Sequence, residues 1–172
     1  MQIFATDPDP ILCAQALDNR RLHKMMVETA QLLCNVVTHH YTVDTPYKPL
    51  HLAHPASVWA ASHMSHAHWL VQHLIALKEE RNHRGFGPHA TSQHIPFFLR
   101  YIPISPPPTF FYNGAKRRSL DLDFTHLPVH DAYKEYLYHR WAFANPHHKP
   151  VWTNRLPPDW YIALIKDDAH SL

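Results

Sequence analysis

Between residues 20 and 39 mostly apolar side chains return every three or four positions: Leu22, Met25, Met26, Thr29, Leu32, Leu33, Val36 and Val37. That spacing predicts an amphipathic helix with one buried face. His23, Val27, Ala30 and Cys34 form a second face, small enough for a neighbour to approach closely. What remains is one polar stripe of Arg21, Lys24, Glu28, Gln31 and Asn35. The helix is therefore expected to be enclosed on two sides and open on the third.

The flanking elements follow from punctuation. Residues 2 to 6 are short, apolar and extended, and Asp9-Pro10 then predicts a helix start that carries to about Leu17. Asp18-Asn19 supplies the next cap, and a linker from His40 to Leu52 holds Pro46 and Pro49. His54-Pro55 opens a helix expected to run unbroken to Arg84, where Gly85 stops it. Thirty residues make it about 45 Å long, the spine of the fold, with Val58, Trp59, Ser62, His66, Trp69, Leu70, His73, Leu74 and Leu77 inward. From Phe86 to Pro128 the pattern fails: a short helix is expected over Ala90–His94, and Pro103, Pro106, Pro107 and Pro108 then forbid regular structure. Asn113-Gly114 marks a tight turn. A helix over 129–143 turns Ala132, Tyr133, Tyr136 and Leu137 inward, and a last helical turn is expected around 161–166. The sum is a compact all-α fold with four or five principal helices, a long central helix and a Pro-rich irregular region over 103–127 at the mouth of a cleft.

Composition narrows this further. Three glycines in 172 residues disfavour a turn-rich β architecture, and 45% hydrophobic residues suffice for one core, so residues 1–172 are expected to form a single domain. The formal charge of +2 is weakly basic, but 18 histidines make the chain more cationic towards pH 6, which favours an anionic partner. Cys13 and Cys34 sit among apolar neighbours at helical positions and are expected as buried free thiols. No basic-then-apolar leader and no run of about 20 apolar residues is present, so a cytoplasmic location without a membrane partner is expected.

Three constellations could carry chemistry. Arg20, Arg21 and Lys24 beside Glu28 suit a phosphate-lined site with one acid or base, the plainer alternative being a solvated face laced by a weak Lys24–Glu28 pair. His63, His66, His68 and His73 do not form one ligand set, because His66 and His73 lie two turns, about 10 Å, apart. The single Glu80-x-x-His83 pair lacks the second pair of a di-iron bundle. No metal and no cofactor is expected. Phe110-Phe111-Tyr112 followed by Lys116-Arg117-Arg118 fits either a nucleic-acid contact loop or aromatics tucked into the core.

The stretch Leu17-Asp18-Asn19-Arg20-Arg21-Leu22-His23-Lys24-Met25-Met26-Val27-Glu28, with His54-Pro55-Ala56-Ser57-Val58-Trp59, resembles the pyrimidine-dimer DNA glycosylases of the phage endonuclease V type. The first ten residues, Tyr47-Lys48-Pro49-Leu50-His51 and Trp152-Thr153-Asn154-Arg155 resemble that family's phage and bacterial members as well. The resemblance covers residues 1–90 well and 128–160 loosely. It implies a compact helical fold and a glycosylase with lyase activity, in which an amine attacks the sugar C1′, displaces the base and forms a Schiff base. Glu28 falls where the family's catalytic glutamate falls, and Arg21 replaces a DNA-contacting histidine. Arg20, Arg21, His54 and Trp59, with Lys116, Arg117 and Arg118, are then candidate contacts to double-stranded DNA carrying a damaged or modified base.

The chain departs from the phage enzyme at two points. That enzyme uses the α-amine of a small residue exposed when methionine is removed, whereas Gln2 is large and leaves Met1 in place as the amine. The residue before the glutamate is arginine there and Val27 here. An α-amine has an ordinary pKa of about 7.7–8.0 against about 10.4 for lysine, so its neutral fraction at pH 7 is larger by roughly two to three powers of ten. Met1 is accordingly the first candidate nucleophile and Lys24 the second. The protein is expected to act as a monomer. Two other readings stay open: a non-catalytic nucleic-acid-binding module and, fitting less well, a histidine-rich metalloprotein.

Overall fold

In the computed structural model, which describes residues 1–142 and 149–170, seven α-helices carry the chain and one very short ladder interrupts the irregular region. The helices are α1 (Pro10–Ala16), α2 (Asn19–His40), α3 (Pro55–Ser62), α4 (Met64–His83), α5 (Ile95–Tyr101), α6 (Val129–Ala142) and α7 (Asp159–His170). β1 (Lys116–Arg117) pairs antiparallel with β2 (Leu122–Asp123), Lys116 opposite Asp123. The all-α class expected from the periodicity is the class observed.

The helix starts are local chemistry. Asp9 accepts a hydrogen bond from the Ile11 N–H at 2.8 Å with Pro10 at the first helical position, and His54 Nδ1 accepts from the Ala56 N–H at 3.1 Å ahead of α3. Gly85, at φ +79°, closes α4 in the left-handed conformation that glycine adopts without strain. α2 packs against α3 and α4, and α1 lies along α4. Their shared interior holds Leu22, Met25, Met26, Leu32, Leu33, Leu70, Leu74 and Leu77 in one apolar cluster that also takes in Ile3, Tyr133 and Trp141.

The spine differs from expectation. It is two helices, broken at His63, whose backbone is extended at φ −146°, ψ 141°. The Trp59 carbonyl, which a continuous helix would pair with the His63 N–H, instead accepts from Ser62 Oγ at 2.8 Å and from the His66 ring at 2.7 Å. Side-chain donors thus replace the backbone donor. The break turns Val58 outward, 56% exposed, while Trp59 and His66 stay buried and stacked with ring centroids 4.5 Å apart.

Two further helices exceed what periodicity indicated. The short helix expected over Ala90–His94 is a 3-10 segment, and α5 follows it directly, because Pro96 sits in its first turn, where the missing N–H costs nothing. α7 spans twelve residues rather than one turn. The end of the sixth helix expected at residue 143 lies outside the described residues. Cys13 and Cys34 are buried free thiols, and burial pushes the Cys13 thiol up to about 12.

A buried ionic cluster ties the C-terminal segment to the start of α2. Arg84, with a fully buried side chain, donates to Glu80 at 2.7 Å and to Asn19 Oδ1 at 3.0 Å. Arg155 closes on the same Glu80, its Nη2 2.7 Å from Oε2. Asn19 in turn donates to Thr153 Oγ1 at 2.8 Å, and its N–H pairs with the Val151 carbonyl at 2.8 Å. A cation buried this deeply without partners would be very costly, so the cluster holds Asn19 and the segment 151–155 in one register.

Candidate DNA-binding and active site

The first turns of α2 face a cavity of about 1130 Å³. Seven Lys and Arg side chains line it among the described residues, against the two carboxylates of Asp18 and Glu28. Arg20, Arg21 and Lys24 come from α2, Lys116 and Arg117 from β1, Arg140 from α6, and Lys149 from the segment before Val151. Only the N-terminal half of the α2 stripe is open. Gln31 donates to the Lys48 carbonyl at 2.5 Å, and Asn35 is buried between the Leu50 backbone and Ser57. The 40–52 linker therefore covers the C-terminal half, and the polar residues there serve to satisfy its backbone. Val27, expected on a closed face, is 44% exposed.

Glu28 is engaged from two directions. Oε1 lies 3.0 Å from Lys24 Nζ, and Oε2 accepts the Gln2 N–H at 3.1 Å. Met1, whose amine is three bonds from the Gln2 nitrogen, lines the same cavity. Lys24 is two-thirds exposed at its side chain, so it lacks the burial that nucleophilic lysines use. His54 lies within electrostatic reach of both the N-terminus and Glu28. Burial first, then repulsion from the charged N-terminus and from His51, pushes its imidazole below the ordinary range, with Glu28 opposing.

The backbone that delivers Met1 is strained. Phe4 has φ +47°, a left-handed conformation that is an outlier for a bulky residue and costs about 1–3 kcal/mol. Its ring offsets that cost by packing, stacked on Tyr136 at 6.2 Å and edge-on to Tyr133 at 6.0 Å. The turn aims residues 1 and 2 into the cavity that Phe4 also lines.

The cations outnumber the carboxylates beside them. Arg21 bonds to Asp18 at 2.9 Å and lies over the Trp141 ring, while Trp141 donates to the same carboxylate at 3.1 Å. Arg140 is held below the usual arginine range mainly by burial; Tyr136 opposes this, and repulsion from Arg117, Arg21 and Arg20 adds to it. Guanidinium groups converging in this way favour an anion with several oxygens.

The residues singled out from the sequence thus separate into three groups. Glu28, Met1, Lys24, Arg20, Arg21, Lys116 and Arg117 meet in the cavity. His54 adjoins it beside the N-terminus, and Arg118, in the 3-10 turn after β1, is not among its lining residues. Trp59 is only 4% exposed and donates its indole N–H to the Phe110 carbonyl at 3.2 Å, so its ring belongs to the core. The aromatic–basic loop divides likewise: Phe111 packs against Trp59, Trp69 and His130, whereas Lys116 and Arg117 reach the cavity. Tyr136, His139, Arg140 and Lys149 were not foreseen as site residues. Tyr136 and Arg140 lie one turn apart on α6, but which basic residues of a helix face a cavity gives no signal without the fold.

Among the described residues no three His, Cys, Asp or Glu side chains come together as a metal set, and no helix is long and apolar enough to cross a membrane.

An all-helical protein with a cationic cavity around one half-buried glutamate is, as a class, built to receive a polyanion. The chain belongs to the pyrimidine dimer DNA glycosylase family, whose model matches residues 1–94. Membership carries a DNA glycosylase activity and a DNA substrate with it. The matched part contains Met1, Arg20, Arg21, Lys24 and Glu28, and the remaining cavity residues lie beyond it. No curated protein and no solved structure matches the chain.

Proposed function

We propose that the protein excises a damaged pyrimidine from duplex DNA and then cleaves the strand through a Schiff base formed by the Met1 amine. The observation that carries this reading is the Gln2 N–H bond to Glu28, which brings the chain end to the glutamate in a cation-lined cavity. In the reaction, the neutral amine bonds to C1′ as the glycosidic C1′–N bond breaks and the base leaves with the electron pair. The amine then gives up a proton, the ring oxygen takes one, and the opened sugar is left as an iminium. Loss of a C2′ proton expels the 3′ phosphate. Glu28 stabilises the developing sugar cation and carries these protons, while Arg20, Arg21, Lys116 and Arg117 hold the flanking phosphates.

Borohydride trapping on duplexes containing a pyrimidine dimer or an abasic site tests this, since only a Schiff base is reducible. Mass analysis of the trapped peptide is expected to find the sugar on Met1; sugar on Lys24 would transfer the role there. Glu28→Gln keeps the shape and removes the charge, so binding should persist while turnover falls by about 10²-fold or more. Turnover at the parent rate by Glu28→Gln would remove this cavity as the active site. A protein that binds the duplexes and never traps would instead be a binding module.

A further inference from the structure

The first two residues are held from three directions by partners remote in sequence. The Gln2 N–H reaches Glu28, the Gln2 side-chain amide donates to the Gly114 carbonyl at 2.6 Å, and Ser57 Oγ donates to the Met1 sulfur at 3.6 Å. The second contact exists because position 114 has no side chain. A Cβ there would stand 2.7 Å from Gln2 Oε1 and 2.5 Å from the Tyr112 ring, closer than real Cβ atoms come. Gly114 is itself fixed: its N–H donates to the Tyr133 hydroxyl at 3.0 Å, and that hydroxyl donates to the Tyr112 carbonyl at 2.9 Å. Tyr133 is wholly buried.

Seating Gln2 here is costly to the fold. Its Oε1 is buried with no hydrogen-bond partner, and two residues later Phe4 takes its strained φ. An orphaned buried acceptor is rare, and a chain end is ordinarily among the loosest parts of a domain. The combination is understandable where the position of the end matters.

We propose that Gln2 and Gly114 form a latch that fixes the Met1 amine beside Glu28, which makes Gln2 a positioning residue for the reaction. This inference rests on the amine reading above. It gives the Asn113-Gly114 turn a task distinct from DNA contact: the turn docks the chain end, while the cations that follow it line the cavity. Fixing a nucleophile matters because a displacement of about 1 Å can cost roughly 10²-fold in rate.

Gln2→Leu tests the latch while leaving the backbone N–H donor of residue 2 in place. Leucine is large enough that Met1 is retained, which intact mass verifies. Gly114→Ala removes the same seat from the opposite side. Two measurements separate the claims: backbone ¹⁵N order parameters for residues 2–4, and the single-turnover rate of borohydride trapping on an abasic-site duplex, with the duplex Kd determined alongside. In both variants the order parameters should fall from a rigid value of about 0.85 to below about 0.6. Trapping should slow by about tenfold or more, and Kd should stay within about twofold. Order parameters unchanged in Gln2→Leu would overturn the latch, whatever the chemistry does. Order lost with trapping at the parent rate would leave a structural clasp and overturn the positioning role. Parent protein that never traps would overturn the amine reading and the positioning role together, with the order parameters still reporting whether the clasp exists.

Discussion

His73 lies wholly inside the protein, stacked on Trp69 with ring centroids 5.0 Å apart, its Nδ1 3.2 Å from the Pro10 carbonyl. A carbonyl only accepts, so Nδ1 carries the proton and Nε2, buried and without a partner, carries the lone pair. Protonating Nε2 would bury an unpaired charge, and burial accordingly pushes the imidazole from its ordinary 6.5 down to about 4, the Pro10 bond opposing only in part. Between those values the unfolded chain takes up a proton that the native state refuses. Stability is therefore full above about pH 6.5 and declines as the pH falls towards 4, by at most about 3 kcal/mol from this residue. His73→Phe keeps the ring stack and removes the titration. Urea unfolding at pH 7.5 and at pH 4.5 should then give stabilities closer together than in the parent, by about 2–3 kcal/mol. An undiminished gap would assign the acid sensitivity to other groups.

The break between α3 and α4 shows how an element is cut by its own side chains. Capping and punctuation at Pro55 and Gly85 are correct for the outer ends of the pair, and neither marks His63. What ends α3 is the capture of the Trp59 carbonyl by Ser62 and His66, and the stacking of His66 on Trp59 then sets the path into α4. His66→Ala removes one of the two donors to a buried carbonyl and the ring stack together. It should lower stability by about 2 kcal/mol, read by denaturant unfolding, against about 0.5–1.5 kcal/mol for Ser62→Ala, which leaves the ring in place. Equal losses in the two variants would mean that the His66 ring adds nothing to the hydroxyl contact.

Across the whole molecule, the cavity joins a half supplied by residues 1–28 to a half supplied by the segment 116–122, α6 and the segment 149–151. Repulsion of Arg140 by Arg117, Arg21 and Arg20 persists in the folded protein, where Asp18 anchors Arg21. A polyanionic DNA bound there, as proposed above, would relieve that repulsion. If Arg117 and Arg140 each hold a phosphate, changing both to Ala should lower the slope of log affinity against log salt by roughly 0.9 per contact, uniformly across DNA sequences. An unaltered slope would confine DNA to the α2 side of the cavity.

The sequence by itself determined the helical class, the capped starts at Asp9 and His54, the Gly85 stop, the buried Leu22-to-Val37 face of α2 and the family stretch ending in Glu28. These signals are local: a cap, a helical face or a motif involves residues within a few positions, and propensity and spacing act there before any packing. Only the tertiary structure decided which half of the α2 stripe stays open, since the covering linker finds Gln31 and Asn35 through backbone carbonyls 15 to 17 residues away. It alone brought Arg140 and Lys149 opposite Glu28 and seated Gln2 on Gly114, 112 positions along the chain. Such meetings depend on how helices pack and on where a missing Cβ leaves room, and no periodicity records either.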